Sequence, residues 1–202
     1  MLKKLSIKIL NIFGWKVDSI DLPVDKYVVI GAPHTTNWDF PLALLTIAAT
    51  GLKFSWAGKD SLFFFPLGPL LKKIGGISVN RRVRNDFLRV ILTKFKEQEN
   101  FVVAIAPEGT RSYTDHWKCG FYQIAVQTGA KIALGYVDFT SKTAGIGKII
   151  TPTGNLEDDF QLIREFYQDK TGLYPEKQSK IAVREKEVRF MEKQLKKLSD
   201  SK

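Results

Sequence analysis

Residues 101–112 read Phe101-Val-Val-Ala-Ile-Ala-Pro-Glu-Gly-Thr-Arg-Ser112, an apolar run followed by a polar turn. A short apolar run that ends at Pro107 predicts a buried strand, because a strand covered on both faces lacks polar alternation. A helix is predicted to follow at about residues 120–128, with Gly129 as its stop. The stretch therefore predicts a strand–loop–helix unit whose polar loop lies at the carboxyl end of its strand.

The same pattern recurs on both sides of this unit. Residues 26–31 predict a second buried strand, followed by an apolar helix over about residues 38–50. Further strands are predicted at residues 53–57, 77–80, 131–139 and 145–150, with an amphipathic helix at 84–98. Strands that alternate with helices indicate an α/β fold with a mostly parallel central sheet flanked by helices.

The N-terminal segment has the composition of an amphipathic helix. Apolar residues recur there at helical spacing among lysines: Leu2, Leu5, Ile9, Ile12 and Phe13. This pattern is typical of a helix at a membrane interface, and an ordinary helix packed on the domain is the alternative. Lys8 interrupts the apolar run, and no small-residue cleavage site follows, so a signal peptide is not expected.

The C-terminal segment is heavily charged. From Pro175 onward, an apolar line at helical spacing predicts a helix that packs on the body or on a partner: Ile181, Val188, Met191, Leu195 and Leu198. We therefore expect one domain over residues 1–175, which includes the N-terminal segment, and a charged helical tail over residues 176–202.

Composition limits the class of partner. Lys and Arg number 31 against 21 Asp and Glu, a net charge of +10, which favours a nucleic acid, an anionic membrane or a phosphate-bearing substrate. No apolar run approaches the roughly 18–20 residues of a spanning helix, so we expect a soluble or peripheral protein. The single cysteine, Cys119, cannot form an internal disulfide and suits a reducing cytoplasm.

One of the two histidines lies where α/β sheets place ligands. His34 sits in Pro33-His-Thr-Thr-Asn-Trp-Asp39, between a buried strand and an apolar helix. Asp39 reaches the imidazole only if His34 lies in the turn and Asp39 folds back from the first helical turn. That pair would make a general base. The alternative is that Asp39 caps the helix and His34 makes an ordinary hydrogen bond in a loop.

Two further segments have the residue types of an anion site. In the turn after the clearest strand, Gly109 permits close backbone approach and Arg111 is able to grip a phosphate with two hydrogen bonds. Asn80-Arg-Arg-Val-Arg84 adds a basic run. A tight polar turn and a solvated basic surface are the alternatives for these two segments.

Together the three segments resemble the 1-acylglycerol-3-phosphate acyltransferase family over about residues 26–139. His34 and Asp39 match its His-x4-Asp motif, and residues 108–112 match its Glu-Gly-Thr-Arg-Ser block letter for letter. Lys118-x-Gly120 follows at the family spacing. Residues 75–81 resemble its Gly-x-x-Phe-Ile-Asp-Arg element. Ser78 and Asn80 replace the usual Phe and Asp, and Lys131-Ile-Ala-Leu-Gly135 lacks the prolines of the family's later block.

The resemblance implies an acyltransferase that uses acyl-CoA or acyl carrier protein as donor and a lysophospholipid or related glycerolipid-type acceptor. His34 would be the general base, Asp39 would orient it, and no covalent intermediate would form. The implied substrate-binding residues are Glu108, Gly109, Thr110, Arg111, Ser112 and Arg81. No cofactor and no metal are expected, and the expected location is cytoplasmic, peripheral on the inner face of the cell membrane with its anionic lipids.

Other functions have weaker support in the sequence. Cys119 lies three residues after His116, so a thiol nucleophile is a rival, although a lone Cys is more often a buried apolar residue. A zinc site formed by His34, Asp115, His116 and Cys119 lacks a recognisable ligand spacing. No zinc-finger or stacking-aromatic pattern indicates nucleic acid. A non-catalytic basic module that binds membranes is the remaining alternative.

Overall fold

The computed structural model describes residues 2–23, 25–80, 82–83 and 86–199, with side chains up to residue 193 in the last helix. Its strands are β1 Lys16–Val17, β2 Tyr27–Ala32, β3 Ser55–Lys59, β4 Gly76–Val79, β5 Val102–Ile105, β6 Lys131–Asp138 and β7 Thr143–Ile150. Its α-helices are α1 Leu2–Ile12, α2 Asp39–Thr50, α3 Leu67–Lys73, α4 Asp86–Glu97, α5 Gly120–Thr128, α6 Leu156–Tyr167 and α7 Glu185–Ser199.

The strands form one sheet in the order β1-β7-β6-β2-β5-β3-β4. All neighbouring pairs are parallel except β6 with β7, which is antiparallel. The prediction of an α/β fold with a mostly parallel central sheet is thus confirmed. β2 and β5 lie side by side in the interior of the sheet, and this places the loops after them at the same edge.

Both faces of the sheet are covered, which explains the unbroken apolar runs. Val28 and Ile30 of β2 face a core that also contains residues of α4, α5, α6 and α7. Tyr27 and Val29 face the opposite side, in a smaller cluster. Because consecutive side chains of a strand alternate between faces, a strand covered on both sides is apolar at every position.

The N-terminal helix combines the two interpretations drawn from its sequence. Ser6 and Leu10 of α1 are buried, and Leu10 packs with Ala49 of α2. Of the residues whose spacing suggested an interfacial helix, Leu2, Leu5, Ile12 and Phe13 are exposed and Ile9 is half-buried. The helix therefore packs on the domain with one face and leaves an apolar stripe uncovered.

The C-terminal part differs in detail from expectation. α7 begins at Glu185, and residues 178–184 have no regular secondary structure, so Ile181 lies before the helix. Met191 is buried in the main core, and Val188 packs against that core. Leu195 and Leu198 belong to α7, but their side chains lie outside the described residues.

Two helices were not predicted. α6 repeats apolar residues at helical spacing and begins with Asn155, whose side chain accepts a hydrogen bond from Asp158 N. The apolar spacing and the capping asparagine together were sufficient to predict this helix from the sequence. α3 contains Pro69, a residue type that breaks a helix when it stands in the helix interior. Pro69 stands in the first turn, where the missing N–H has no partner inside the helix, so it does not disrupt α3.

Candidate active site

The register of the central strands brings the two motifs together. β2 and β5 run parallel with Tyr27 opposite Val102 and Ile30 opposite Ile105. The turn with His34 and the loop with Glu108 therefore leave the sheet side by side, at its carboxyl edge. His34 and Glu108 are 74 residues apart in the sequence, but the pairing of β2 with β5 brings them close together.

Asp39 organises the turn that carries His34. Its Oδ2 atom accepts hydrogen bonds from the backbone nitrogens of Thr35 (2.7 Å) and Thr36 (2.8 Å). The same oxygen lies 3.2 Å from His34 Nδ1. Asp39 is only 4% exposed. The carboxylate thus folds back from the first turn of α2, as the general-base interpretation requires, and leaves Nε2 as the imidazole nitrogen available to a substrate.

Glu108 supports the same turn from the neighbouring loop. Its Oε1 accepts a hydrogen bond from the backbone nitrogen of His34 at 2.7 Å, and Glu108 is 2% exposed. Oε2 is buried and has no hydrogen-bond partner among the described residues. Burial raises the pKa of Glu108 to about 7, because removal from water penalises the charged carboxylate more than the His34 hydrogen bond favours it.

Lys118 packs over Gly109. Gly109 has φ +68°, a conformation that favours glycine, and a Cβ there would lie 2.7 Å from Lys118 Nζ. The backbone nitrogen of Lys118 donates to the carbonyl oxygen of Pro107. Gly109 therefore allows a basic side chain to lie directly against the loop. Sequence reasoning noted the spacing of Lys118 but did not include it among the site residues.

A cavity of about 880 Å³ opens at this edge of the sheet. Its polar lining includes His34, Asn37, Arg111 and Lys118. Apolar side chains of α2, β3 and α3 supply much of the remaining wall, among them Phe40, Leu44, Ile47, Trp56, Leu67 and Leu71. Such a combination suits a ligand with an anionic group and a hydrocarbon portion.

The predicted site residues divide into three groups. His34, Asp39, Gly109, Thr110 and Arg111 line the cavity. Glu108 and Ser112 belong to the loop after β5, but they are not among the described residues that line the cavity. Glu108 faces the His34 turn, and Ser112 is exposed. Arg81 lies outside the described residues.

The segment after α6 makes hydrogen bonds to the His34 turn and to the loop after β5. Tyr174 N donates to the Thr35 hydroxyl, and Gly172 packs so closely that a Cβ there would lie 2.7 Å from Thr35 Cγ2. Farther along, Lys180 N donates to the carbonyl oxygen of Thr114. Residues 171–182 thus join the His34 turn to the loop after β5. No sequence motif indicated this role.

The position of Cys119 does not favour a thiol nucleophile. Cys119 is buried, and burial together with the nearby Glu187 raises the pKa of its thiol. Because the thiolate is the nucleophilic form, such a cysteine is inert. His116, the proposed partner, instead contacts the Asp115 carboxylate through Nδ1. Within the described ranges, no three His, Cys, Asp or Glu side chains gather as a metal site.

The sequence matches a known protein family. The family model described as Acyltransferase matches residues 17–136, more than half of the chain. The protein is therefore an acyltransferase. It belongs to the acyltransferase family, which confirms the family relationship inferred from the His34 and Glu108 motifs.

A solved structure shows the same fold. The chain is similar to the crystal structure of the 1-acyl-sn-glycerophosphate (LPA) acyltransferase PlsC from Thermotoga maritima, with a TM-score of 0.56 and 18% sequence identity. The match covers 98% of this chain and 78% of that chain. No curated protein matches the sequence. In the described part of the chain, no helix has the length and apolar character needed to cross a bilayer.

Proposed function

We propose that this acyltransferase moves a fatty acyl group from acyl-CoA or acyl carrier protein to a hydroxyl of a lysophospholipid or related glycerolipid-type acceptor. The observation that carries the proposal is the approach of His34 Nδ1 to within 3.2 Å of the buried Asp39 carboxylate, at the wall of a cavity with both basic and apolar lining. A base, an anion-binding group and an apolar wall are the three elements that such a reaction needs.

In the proposed reaction His34 is the general base. Its Nε2 takes the proton of the acceptor hydroxyl while the hydroxyl oxygen attacks the thioester carbonyl. The tetrahedral intermediate then collapses, the carbon–sulfur bond breaks, and the imidazolium returns its proton to the departing thiolate. Asp39 fixes the tautomer of the neutral imidazole before the proton transfer and stabilises the imidazolium after it, and general-base catalysis of this kind contributes roughly 10²- to 10⁴-fold.

The acceptor head group is proposed to bind at the loop after β5. Arg111 is exposed at the cavity wall and offers two hydrogen bonds to a phosphate or another anion, and Lys118 adds a second positive charge. Gly109 and Thr110 shape the wall beside them. Arg81 is proposed as a further contact from its family position alone.

The enzyme is proposed to act as a peripheral protein on the inner, cytoplasmic face of the cell membrane. The uncovered apolar stripe of α1 supports this, because Leu2, Leu5 and Ile12 of the helix, and Phe13 directly after it, are exposed among lysines. An apolar stripe with basic neighbours is the pattern of a helix that lies in the interface of an anionic membrane.

A panel of donors and acceptors tests the proposal. Purified wild type and His34→Ala are incubated with acyl-CoA or acyl-loaded carrier protein and with lysophospholipids, glycerol phosphate or phosphate-free lyso-lipids, and products are identified by mass spectrometry. We expect an ester product with wild type and a loss of rate on the order of 10²-fold or more in the variant. Full activity of His34→Ala would refute the mechanism, and the absence of any ester product would refute the substrate class.

A further inference from the structure

Residues 62–74, here named the aromatic arm, connect the end of β3 to β4 and expose large apolar side chains. Phe64 is 59% exposed, Phe65 86% and Leu70 56%, and Ile74 is also exposed. Leu70 and Ile74 are one helical turn apart, so they share a face. Single exposed apolar residues are common on proteins, but a group of this size within thirteen residues indicates an interaction surface.

The arm packs against β3 through Phe63, and this packing directs Phe64 and Phe65 outward. The ring of Phe63 stacks on Trp56, with 6.0 Å between ring centroids, and lies beside Gly58, where a Cβ would be 2.9 Å away. Gly68 is buried against the Phe63 backbone, and its nitrogen donates to the carbonyl oxygen of Phe64. Because Phe63 is anchored inward, the two phenylalanines that follow it form an outward tip of fixed position.

The other side of the arm belongs to the cavity. Leu62, Leu67 and Leu71 line the cavity that also contains His34. One short segment therefore presents apolar side chains in two directions, toward the cavity and toward the surroundings. A partner that contacts the tip of the arm would therefore lie next to the cavity wall.

The charges around the tip favour an anionic surface. Lys59, Lys72 and Lys73 are exposed at the two ends of the arm, against one acid in the same region, Asp60. The chain as a whole carries +10. An apolar tip with basic neighbours inserts into the interface of an anionic membrane, where each lysine near the surface adds attraction. A second copy of this basic chain would meet charge of its own sign.

We propose that the aromatic arm inserts Phe64 and Phe65 into an anionic phospholipid membrane and holds the cavity against the bilayer surface. The arm is a membrane contact in addition to α1. The inference rests on the proposed function, since a glycerolipid acceptor and its product reside in the bilayer that the arm would touch.

The test compares Phe64→Ser/Phe65→Ser with a matched control, Leu162→Ser/Phe190→Ser, which alters exposed apolar residues on α6 and α7. Binding to vesicles rich in phosphatidylglycerol is measured by co-flotation. We expect the arm variant to lose affinity by about tenfold or more and the control to bind like wild type, because burying even one phenylalanine ring contributes that much. Lys72→Gln/Lys73→Gln should weaken the preference for phosphatidylglycerol over phosphatidylcholine vesicles, since each lysine near the surface adds attraction.

Either of two flotation results would overturn the inference: unchanged flotation of the arm variant, or a wild type that binds no vesicles. A concentration-dependent dimer that the arm substitutions abolish, seen by light scattering, would assign the surface to a second copy instead. Acyl transfer to a short-chain acceptor dissolved as monomers is measured in parallel, and the arm variant should retain it. If neither wild type nor any variant transfers an acyl group, the proposed function fails. The membrane contact still stands in that case if flotation depends on Phe64 and Phe65.

Discussion

The carboxylate of Glu108 accepts a hydrogen bond from the backbone nitrogen of His34, with 2.7 Å between Oε1 and N. It joins the first residue of the His-x4-Asp turn to the first residue of the Glu-Gly-Thr-Arg-Ser loop. Since the glutamate is buried, we expect it to act by positioning the His34 turn rather than by contact with an acceptor.

The first prediction concerns the kinetic effect of losing this hydrogen bond. Glu108→Ala removes the acceptor and should lower kcat by roughly tenfold to a hundredfold, because small misplacements of a catalytic base are costly. Glu108→Gln keeps an oxygen that accepts the His34 N–H and should recover most of the rate. The KM for the acceptor should change little in either variant. A large rise in that KM at normal kcat would make Glu108 a substrate contact instead.

The second prediction concerns stability against pH. Burial raises the pKa of Glu108 to about 7 from a usual 4.5, so the folded state binds this proton more tightly than the unfolded state. The resulting stabilisation is fully present below pH 4.5 and is lost as the pH rises through 7, by at most about 3 kcal/mol. Urea unfolding of wild type and Glu108→Gln from pH 5 to 8 measures it. The advantage of the Gln variant should grow with pH, and parallel curves would contradict the burial argument.

The third prediction separates the two roles of Asp39. Asp39→Asn retains an oxygen for the Thr35 and Thr36 nitrogens, but it loses the charge that stabilises the imidazolium in the proposed reaction. We expect kcat to fall by about 10²- to 10⁴-fold with little change in thermal stability. Asp39→Ala also removes the acceptor of two backbone N–H groups and should cost about 1–3 kcal/mol of unfolding free energy. An Asn variant as active as wild type would reduce Asp39 to a structural residue.

Several features of the site were readable from sequence because their causes are local. β2 and β5 are buried on both faces, so apolar runs revealed them. The bounds of α5 are those predicted, because Gly129 with φ +68° ends the helix where the sequence places a stop. Asp39 and His34 are only five residues apart, so the sequence could suggest their contact as one of two interpretations, although Glu108 also supports the turn from a distant segment.

Other features depend on contacts between distant segments. The inward direction of Glu108 follows from the register of β5 against β2, which no local pattern encodes. The antiparallel pairing of β7 with β6 is likewise a property of the whole sheet. The contacts of residues 171–182 with Thr35 and Thr114 involve backbone atoms and a glycine, so the segment carries no chemical signature that sequence reasoning could recognise.

The fourth prediction tests the proposed head-group contact. Arg111→Gln should raise the KM for a phosphate-bearing acceptor by about tenfold or more, since charge-assisted hydrogen bonds contribute about 1.5–3 kcal/mol. The KM for a phosphate-free lyso-lipid should be nearly unaltered. Arg189→Gln, an exposed arginine on α7, is the charge-matched control. Equal effects on both classes of acceptor would show that Arg111 does not select for phosphate.

The fifth prediction concerns the support of the His34 turn by Gly172. A methyl group at this position would lie 2.7 Å from Thr35 Cγ2 and Oγ1, while Thr35 N donates to Asp39. Gly172→Ala should therefore push the turn, and we expect kcat to fall by roughly tenfold or more because the Asp39–His34 geometry is disturbed. Circular dichroism checks that the fold is retained.

A second substitution identifies the cause of that loss. Thr35→Ser removes Cγ2 but keeps the hydroxyl that accepts from Tyr174 N, so it should be nearly neutral alone and should restore part of the rate to Gly172→Ala. A coupling free energy of about 0.5–3 kcal/mol between the two positions is typical of side chains in contact. If the two effects are simply additive, Gly172 does not act through Thr35, and residues 171–182 merely cover the site.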